Sequence, residues 1–386
     1  MGLIDLTERN SARPIVGMVT RFPPSESGSA PAALELSSRL ASQHEYAVEV
    51  VRLVDQCDAP AAGHPVVMDL DARWHMSAEL AARRLDRCDA AVIQLDRHVP
   101  IDLIEGLIPN LEIPVILALD DVGPGGTVES QVLAHLVSEA GTAVVPSQTA
   151  RRRLQTQVRA GTRIEVIPHG SPWMAFEPRA IPRRNILTWG FLSPGMGAES
   201  VIRALSLLAD LDPPPRYRLL GVTDPGWSRR EAVSYRSSLS RLAEHHGVGD
   251  LLEMIPILQT RSGLRDEIDQ CDLIAVVYDS RDQASSRVLT EAVSTGRPVV
   301  ATRFPGAVDL LSSGAGRTVA HHDDHAMADA LRTFMTDDDA YLHAARVGTE
   351  LSPGLNWERT TMKWATLLAS QLGLEVLVDM RPQIPT

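Results

Sequence analysis

Short apolar runs rich in β-branched residues alternate with segments of helical period along most of the chain. The first run, PIVGMVT at 14–20, predicts a strand, and Leu34, Leu36 and Leu40 fall on apolar positions of a helix over 31–43. Further strands are predicted near 48–54, 66–68, 90–94, 115–119 and 143–145, with helices near 77–87, 101–108, 127–140 and 151–160. Strands and helices alternating at this spacing build a parallel, doubly wound sheet. The pattern breaks between 167 and 184, where IPHGSPWMAFEPRAIP is rich in proline and carries no apolar period, as expected of an interdomain linker. Alternation restarts with a strand at 186–189, a helix at 198–209, a strand at 217–221 and a helix at 229–246. Strands at 273–277, 299–301 and near 318 follow, then two helices over 324–348 and a last one over 356–372. The reading is an α/β chain of two domains, 1–168 and 185–355, joined by a linker at 169–184.

One unit, residues 271–309, carries the strongest local signals. Its apolar strand at 273–277 is flanked by polar residues and leads into a polar loop. Ser285 and Ser286 follow, either of which can cap a helix by accepting a hydrogen bond from a free N–H. Val288, Leu289, Ala292 and Val293 then form an apolar helical stripe, Gly296 offers a left-handed stop, and Pro298 prevents the helix from resuming. The polar loop thus sits at the carboxyl end of a parallel strand, where open α/β sheets bind ligands. The helix start can hold a phosphate, because its free N–H groups and its dipole both favour an anion. Glu291 lies off the apolar stripe, so its carboxylate can face a cleft and accept hydrogen bonds from two neighbouring ribose hydroxyls. The plainer alternative makes it a solvated helix residue.

Composition narrows the class. With 386 residues, 44% hydrophobic and 22% charged, the chain has the make-up of a water-soluble protein with room for two full cores. A net charge of −12 argues against nucleic acid as the main partner. Lys363 is the single lysine, so the absence of lysine at any one place carries little weight. Cys57, Cys88 and Cys271 are odd in number and far apart, and read as small core residues of a reducing compartment. Residues 1–14 show no apolar stretch after basic residues, and no run approaches the length of a membrane span, so a cytoplasmic protein is expected.

Five pieces in order, VIPHG (166–170), WGFLSPGMGAESVIRAL (189–205), YRLLGVTDPG (217–226), DQCDLIAVVYDSRDQASSRVLTEAVSTGRPVVAT (269–302) and the closing NWE helix, match a family. The chain resembles the retaining nucleotide-sugar glycosyltransferases of the GT-B architecture, the group 1 or family 4 type, from about residue 140 onward. That resemblance implies two facing Rossmann-like domains, with the helix at 356–372 crossing back to the first and 373–386 a tail. It implies a nucleoside-diphosphate sugar held by the second domain, a glycan, lipid-linked or small-molecule acceptor held by the first, and no bound metal or cofactor. In the family an arginine and a lysine in the second domain's glycine-rich loop face the diphosphate. Two glutamates eight residues apart face sugar and ribose, and a histidine of the first domain contacts the sugar.

Carried over residue by residue, the resemblance places Phe191 and Met196 where the two cations stand, with Gly195 and Gly197 beside Met196. It places Gln283 at the first glutamate, Glu291 at the second and Asp120 at the histidine, and reduces the first domain's glycine loop to Gly28. Gln283 and Asp120 are therefore the candidate catalytic residues, and Gly28, Gly195, Met196, Gly197, Ser285, Ser286, Arg287 and Glu291 the candidate donor-binding ones. Arg287 stands in the first turn of its helix, where a cation opposes the dipole, so either a bound anion or an i,i+4 pair with Glu291 is needed to account for it. His321, His322 and His325 with Asp323 and Asp324 read as a cap and turn before a helix, not a metal site. The arginines from 151 to 163 form either a solvated helix face or a contact to anionic lipid. Two functions remain open at this point: an active glycosyltransferase, or a non-catalytic relative binding a nucleotide, sugar or protein.

Overall fold

Two parallel sheets carry the chain. A computed structural model describes residues 13–25, 27–54, 63, 65–71, 73, 76–96, 99, 101–221, 228–255 and 261–374. The N-terminal strands are β1 (Ile15–Thr20), β2 (Ala47–Val54), β3 (Val66–Asp71), β4 (Ala90–Leu95), β5 (Val115–Leu119), β6 (Gly141–Val145) and β7 (Arg163–Val166). The C-terminal ones are β8 (Asn185–Trp189), β9 (Arg216–Leu220), β10 (Leu252–Ile255), β11 (Leu273–Val276), β12 (Val299–Thr302) and β13 (Gly316–Val319). Among the described residues they form the sheets β3-β2-β1-β4-β5-β6-β7 and β10-β9-β8-β11-β12-β13, every pairing parallel.

The helices are α1 (Ala30–Gln43), α2 (Ser77–Leu85), α3 (Ile101–Glu105), α4 (Val128–Ala140), α5 (Gln148–Gln155), α6 (Ala198–Ser206) and α7 (Arg229–His245). They continue with α8 (Arg261–Gln270), α9 (Arg287–Ser294), α10 (Pro305–Leu311), α11 (Asp324–Thr336), α12 (Asp338–Leu355) and α13 (Trp357–Leu372). No helix among the described residues is long and apolar enough to cross a membrane. Cys88 and Cys271 are buried free thiols; Cys57, the segment 1–12, residues 222–226 of the YRLLGVTDPG piece and most of the tail lie outside the described residues.

The period-two pattern explains the layers. In β4, Ala90 and Val92 enter one core while Ala91, Ile93 and Leu95 enter the other. In β11 and just beyond it, Leu273, Ala275 and Val277 split from Ile274 and Val276 in the same way. Both faces are covered, so these strands are apolar except for Gln94 near the carboxyl end of β4. In each sheet the strand order reverses once, between β1 and β4 and between β8 and β11. The crevice beyond the carboxyl ends of those strands is where a doubly wound sheet takes its ligand.

Several elements differ from the sequence reading. The helix predicted over 101–108 ends at Glu105 and gives way to a 3-10 turn at Ile108–Asn110, where Pro109 removes an N–H. The arginine helix begins earlier, at Gln148, because Ser147 caps it by accepting from the Ala150 N–H at 3.0 Å. β7, β10, α8 and α10 were not legible, and α12 runs to Leu355 despite Pro353 in its last turn.

The chain crosses between the sheets twice, and the crossings touch. Ser171 donates its N–H to Leu355 at 2.8 Å and accepts the Trp357 N–H at 3.1 Å. From there α13 lies against the first sheet, with Trp357, Trp364, Leu367 and Leu368 in a core shared with Val16, Met18 and Leu36. Gly170 makes the approach possible, since a Cβ there would lie 2.3 Å from the Trp357 ring. Gly170→Ala is therefore expected to lower stability by about 1–3 kcal/mol in denaturant unfolding, because a buried indole has no room to yield. Gly354→Ala, with nothing within 4 Å of the added carbon, serves as control. Equal stability of the two variants would contradict this account.

Candidate active site

The two crevices face each other, and the loop before α9 joins them. Ser286, in extended conformation at φ −150°, caps α9 by accepting the Leu289 N–H at 3.1 Å, and its hydroxyl meets Tyr278 Oη at 3.1 Å. Ser285 does not cap; its hydroxyl donates across the crevice to the Asp120 carbonyl at 2.6 Å. Alongside it, the Ala284 N–H donates to Asp121 Oδ1 at 2.9 Å and Ser147 Oγ donates to the Ala284 carbonyl at 2.8 Å. The Gln283 side-chain amide turns inward to the Ser285 carbonyl at 2.8 Å. Arg153 donates to the carbonyls of Val122 and Asp282, Thr149 N–H reaches Asp309 at 3.1 Å, and Arg152 approaches Asp309 at 3.4 Å. Arg152 and Arg153 thus join the two halves of the chain, while the Arg152 side chain stays 64% exposed, as on a solvated helix face.

Arg287, at the first position of α9, is 3.6 Å from Asp120 on the opposite wall. The i,i+4 pair with Glu291 does not form: among the described residues Asp120 is the ion-pair partner of Arg287. Asp120 sits just past the carboxyl end of β5, as a ligand-facing residue of a doubly wound sheet should. His169, directly beyond β7, completes the group. It lines a cavity of about 50 Å³ with Gln94, Asp120, Arg287 and Trp357. Burial, reinforced by the Arg287 charge, pushes its imidazole well below the ordinary value, so the ring is neutral near pH 7.

One turn into α9, Glu291 is not the solvated residue of the plainer reading. Burial pushes its carboxyl upward, against the opposing pull of Arg287 and of the indole N–H groups of Trp189 and Trp173. Trp189 Nε1 is 3.4 Å from Glu291 Oε2.

The glycine-rich loop 190–197 forms the far lip. Gly190 and Gly197 have φ of 126° and 74°, and a Cβ on Gly197 would lie 3.2 Å from Val277. Met196 departs from its expected role. Its side chain is buried in the C-terminal core and its N–H closes a turn on the Ser193 carbonyl at 3.1 Å, so it presents no polar group to the crevice. Gly195 uses its carbonyl on the Asp279 N–H at 2.8 Å. The Phe191 ring comes within 3.4 Å of where a Gly28 side chain would begin, so the glycine loops of the two halves meet here.

Asp120, Gln283, Ser285, Ser286, Arg287 and Glu291 are thus brought to one crevice, with Gly28 and Phe191 at its lip. His169, Trp173, Trp189, Asp121 and Ser147 were missed; only His169 and Trp189 lay within the five pieces that carry the resemblance, and Trp173 within the proline-rich break. Beyond the crevice, Asp323 caps α11 through the Ala326 N–H at 2.9 Å and Asp324 pairs with Arg203 at 2.6 Å. No cluster of three or more metal-binding side chains occurs among the described residues.

The neutral imidazole has a measurable consequence. Below about pH 6.5, the ordinary histidine value, the unfolded chain takes up a proton that folded His169 refuses, so acid lowers stability and rising pH restores it. Denaturant unfolding at pH 7.5 and 5.5 should show a smaller acid loss in His169→Asn than in the wild type, by up to about 1.4 kcal/mol per pH unit. Identical pH slopes would contradict the burial of this ring.

Comparison with known proteins matches residues 176–350 to the sequence model of the family Glycosyl transferases group 1. Among curated relatives, a D-inositol 3-phosphate glycosyltransferase of Corynebacterium glutamicum is 29% identical over 46% of this chain, and one of Nocardioides 26% identical over 52%. The matches span 41% and 46% of those relatives, less than half the length of either. Among solved structures, sucrose-phosphate synthase from Thermosynechococcus elongatus superposes with a TM-score of 0.73 over 94% of this chain and 100% of its own, at 15% identity. Anabaena HepE, solved with UDP, gives 0.71 over 92% of this chain and 100% of its own, at 16% identity. Residues 176–350 match the group 1 glycosyltransferases in sequence, and the two facing sheets give the chain the GT-B architecture.

Proposed function

We propose that this protein is a retaining glycosyltransferase that moves a hexose from a nucleoside-diphosphate sugar to a glycan, lipid-linked or small-molecule acceptor. The observation that carries the reading is the placement of Arg287 and Glu291 one turn apart on α9, at the β8/β11 switch point and opposite Asp120. Glu291 accepts hydrogen bonds from the ribose hydroxyls. Arg287 and the start of α9 hold the diphosphate in place of the missing loop cations, and Asp120 yields Arg287 to the incoming anion. Asp120 and Gln283 then face the sugar.

In the reaction the bond from C1 of the sugar to the diphosphate oxygen breaks, and a bond from C1 to the acceptor hydroxyl oxygen forms on the same face. The acceptor proton passes to the departing phosphate. Charge grows on the diphosphate as it leaves, so Arg287 and the helix N-terminus act most strongly where the barrier lies. No step calls for a metal. The names of the relatives, which are inositol-phosphate glycosyltransferases, and of HepE, solved with UDP and glucose, support this donor and acceptor chemistry.

A second reading, a non-catalytic sugar or nucleotide binder, is favoured by two observations: Met196 is buried in the core and Arg287 already has a carboxylate partner. The readings part on Arg287→Ala. In the enzyme, calorimetry should show at least tenfold weaker binding of the preferred nucleoside diphosphate with little change for the nucleoside, since an ionic hydrogen bond is worth roughly 1.5–3 kcal/mol. Unchanged or improved diphosphate binding would overturn the enzyme reading. Glu291→Ala should weaken nucleoside and diphosphate alike by a few kcal/mol, and unchanged affinity would remove Glu291 from the ribose site.

A further inference from the structure

The segment Ser171–Pro172–Trp173 belongs to neither sheet. Ser171 is where the two crossings meet, and its hydroxyl accepts the Trp173 N–H at 3.1 Å. A few residues on, the Phe176 N–H donates to the Thr295 carbonyl at the end of α9 at 2.8 Å. Trp173 is therefore pinned between the crossing and the back of the helix that bears Glu291. Its side chain is 4% exposed, and its indole nitrogen is buried without a hydrogen-bond partner. Such a donor is costly to leave unpaired and calls for an explanation.

The explanation lies in what it faces. The Trp189 indole N–H, at the end of β8, approaches Glu291, and Trp173 packs in one cluster with Trp189 and with Leu289, Ala292 and Val293 of α9, so its unpartnered N–H lies beside the helix turn that bears Glu291. The 3.4 Å separation from Trp189 exceeds an ordinary N–H···O bond of about 2.7–3.2 Å, so the carboxyl is close to its donors without being seated on them. An ionised carboxylate has about four acceptor sites, enough for two ribose hydroxyls and two indoles together.

We propose that Trp173 is a positioning residue for Glu291, its indole N–H seating the carboxylate when a nucleotide's ribose binds, so that the interdomain crossing sets donor affinity. The proposal rests on Glu291 being the ribose ligand, as argued under Proposed function. Trp173 does not touch the nucleotide; it acts through Glu291 alone, because its nitrogen is closed to solvent.

The test is calorimetry with the tightest-binding of UDP, GDP, ADP and dTDP, between pH 5 and 8, on the full chain and on W173F, E291Q and the double variant. W173F keeps an aromatic ring in place but removes the N–H together with part of the indole, and the second background separates the two losses. W173F should weaken binding about fivefold at pH 7.5, as the loss of one hydrogen bond does. It should also move the acid loss of binding to higher pH, because one donor that favours the ionised carboxyl is gone. In the E291Q background, where the indole meets only an uncharged amide oxygen, the same change should cost distinctly less and show no pH midpoint to move. An equal loss in both backgrounds, or an unmoved pH midpoint, would reduce Trp173 to a packing residue and overturn the proposal. If the wild type binds none of the four nucleotides, the ribose reading itself fails, a result distinct from tight wild-type binding with an unaffected W173F.

Discussion

The contact on which the site depends is the seam between the loop before α9 and the end of β5. Ala284 N–H on the Asp121 carboxylate and Ser285 hydroxyl on the Asp120 carbonyl hold that loop against the opposite sheet. The first is charge-assisted and worth about 1.5–3 kcal/mol, the second about 1 kcal/mol. Ser147 and Arg153 add to the same seam from α5 and its cap. Without it, Arg287 and Glu291 would belong to one half of the molecule, and Asp120 and His169 to the other.

The seam also sets the electrostatics. Arg287 would be badly placed on an isolated α9, since it opposes the dipole. Across the crevice it meets Asp120, and its charge reaches both His169 and Glu291. One guanidinium therefore helps keep an imidazole neutral and draws a buried carboxyl toward its charged form. Met196 lies uncharged in the C-terminal core, and Arg287 places a positive charge at the start of α9.

Legibility in the sequence followed burial. Strands covered on both faces, such as β4 and β11, announce themselves as apolar runs, broken in β4 only by Gln94. The missed strands β7 and β10 are the outer edges of their sheets, where RIEV and LEMI keep charged or half-exposed residues and no apolar run is required. The α9 unit could be read because its cap, stripe and stop are local. Trp189, 102 residues from Glu291, and Asp121, 163 residues from Ala284, join the site only through the fold, so no periodicity could reveal them. Met196, where the resemblance places a cation, turns its uncharged side chain into the core.

The central claim is that a nucleoside diphosphate lies along α9 and takes Arg287 from Asp120. A crystal structure of the protein with its preferred nucleoside diphosphate tests this most directly. The account predicts the ribose hydroxyls on Glu291, the phosphates at Arg287 and the start of α9, and the Arg287–Asp120 pair opened. A nucleotide bound elsewhere, or bound with that pair intact, would contradict it.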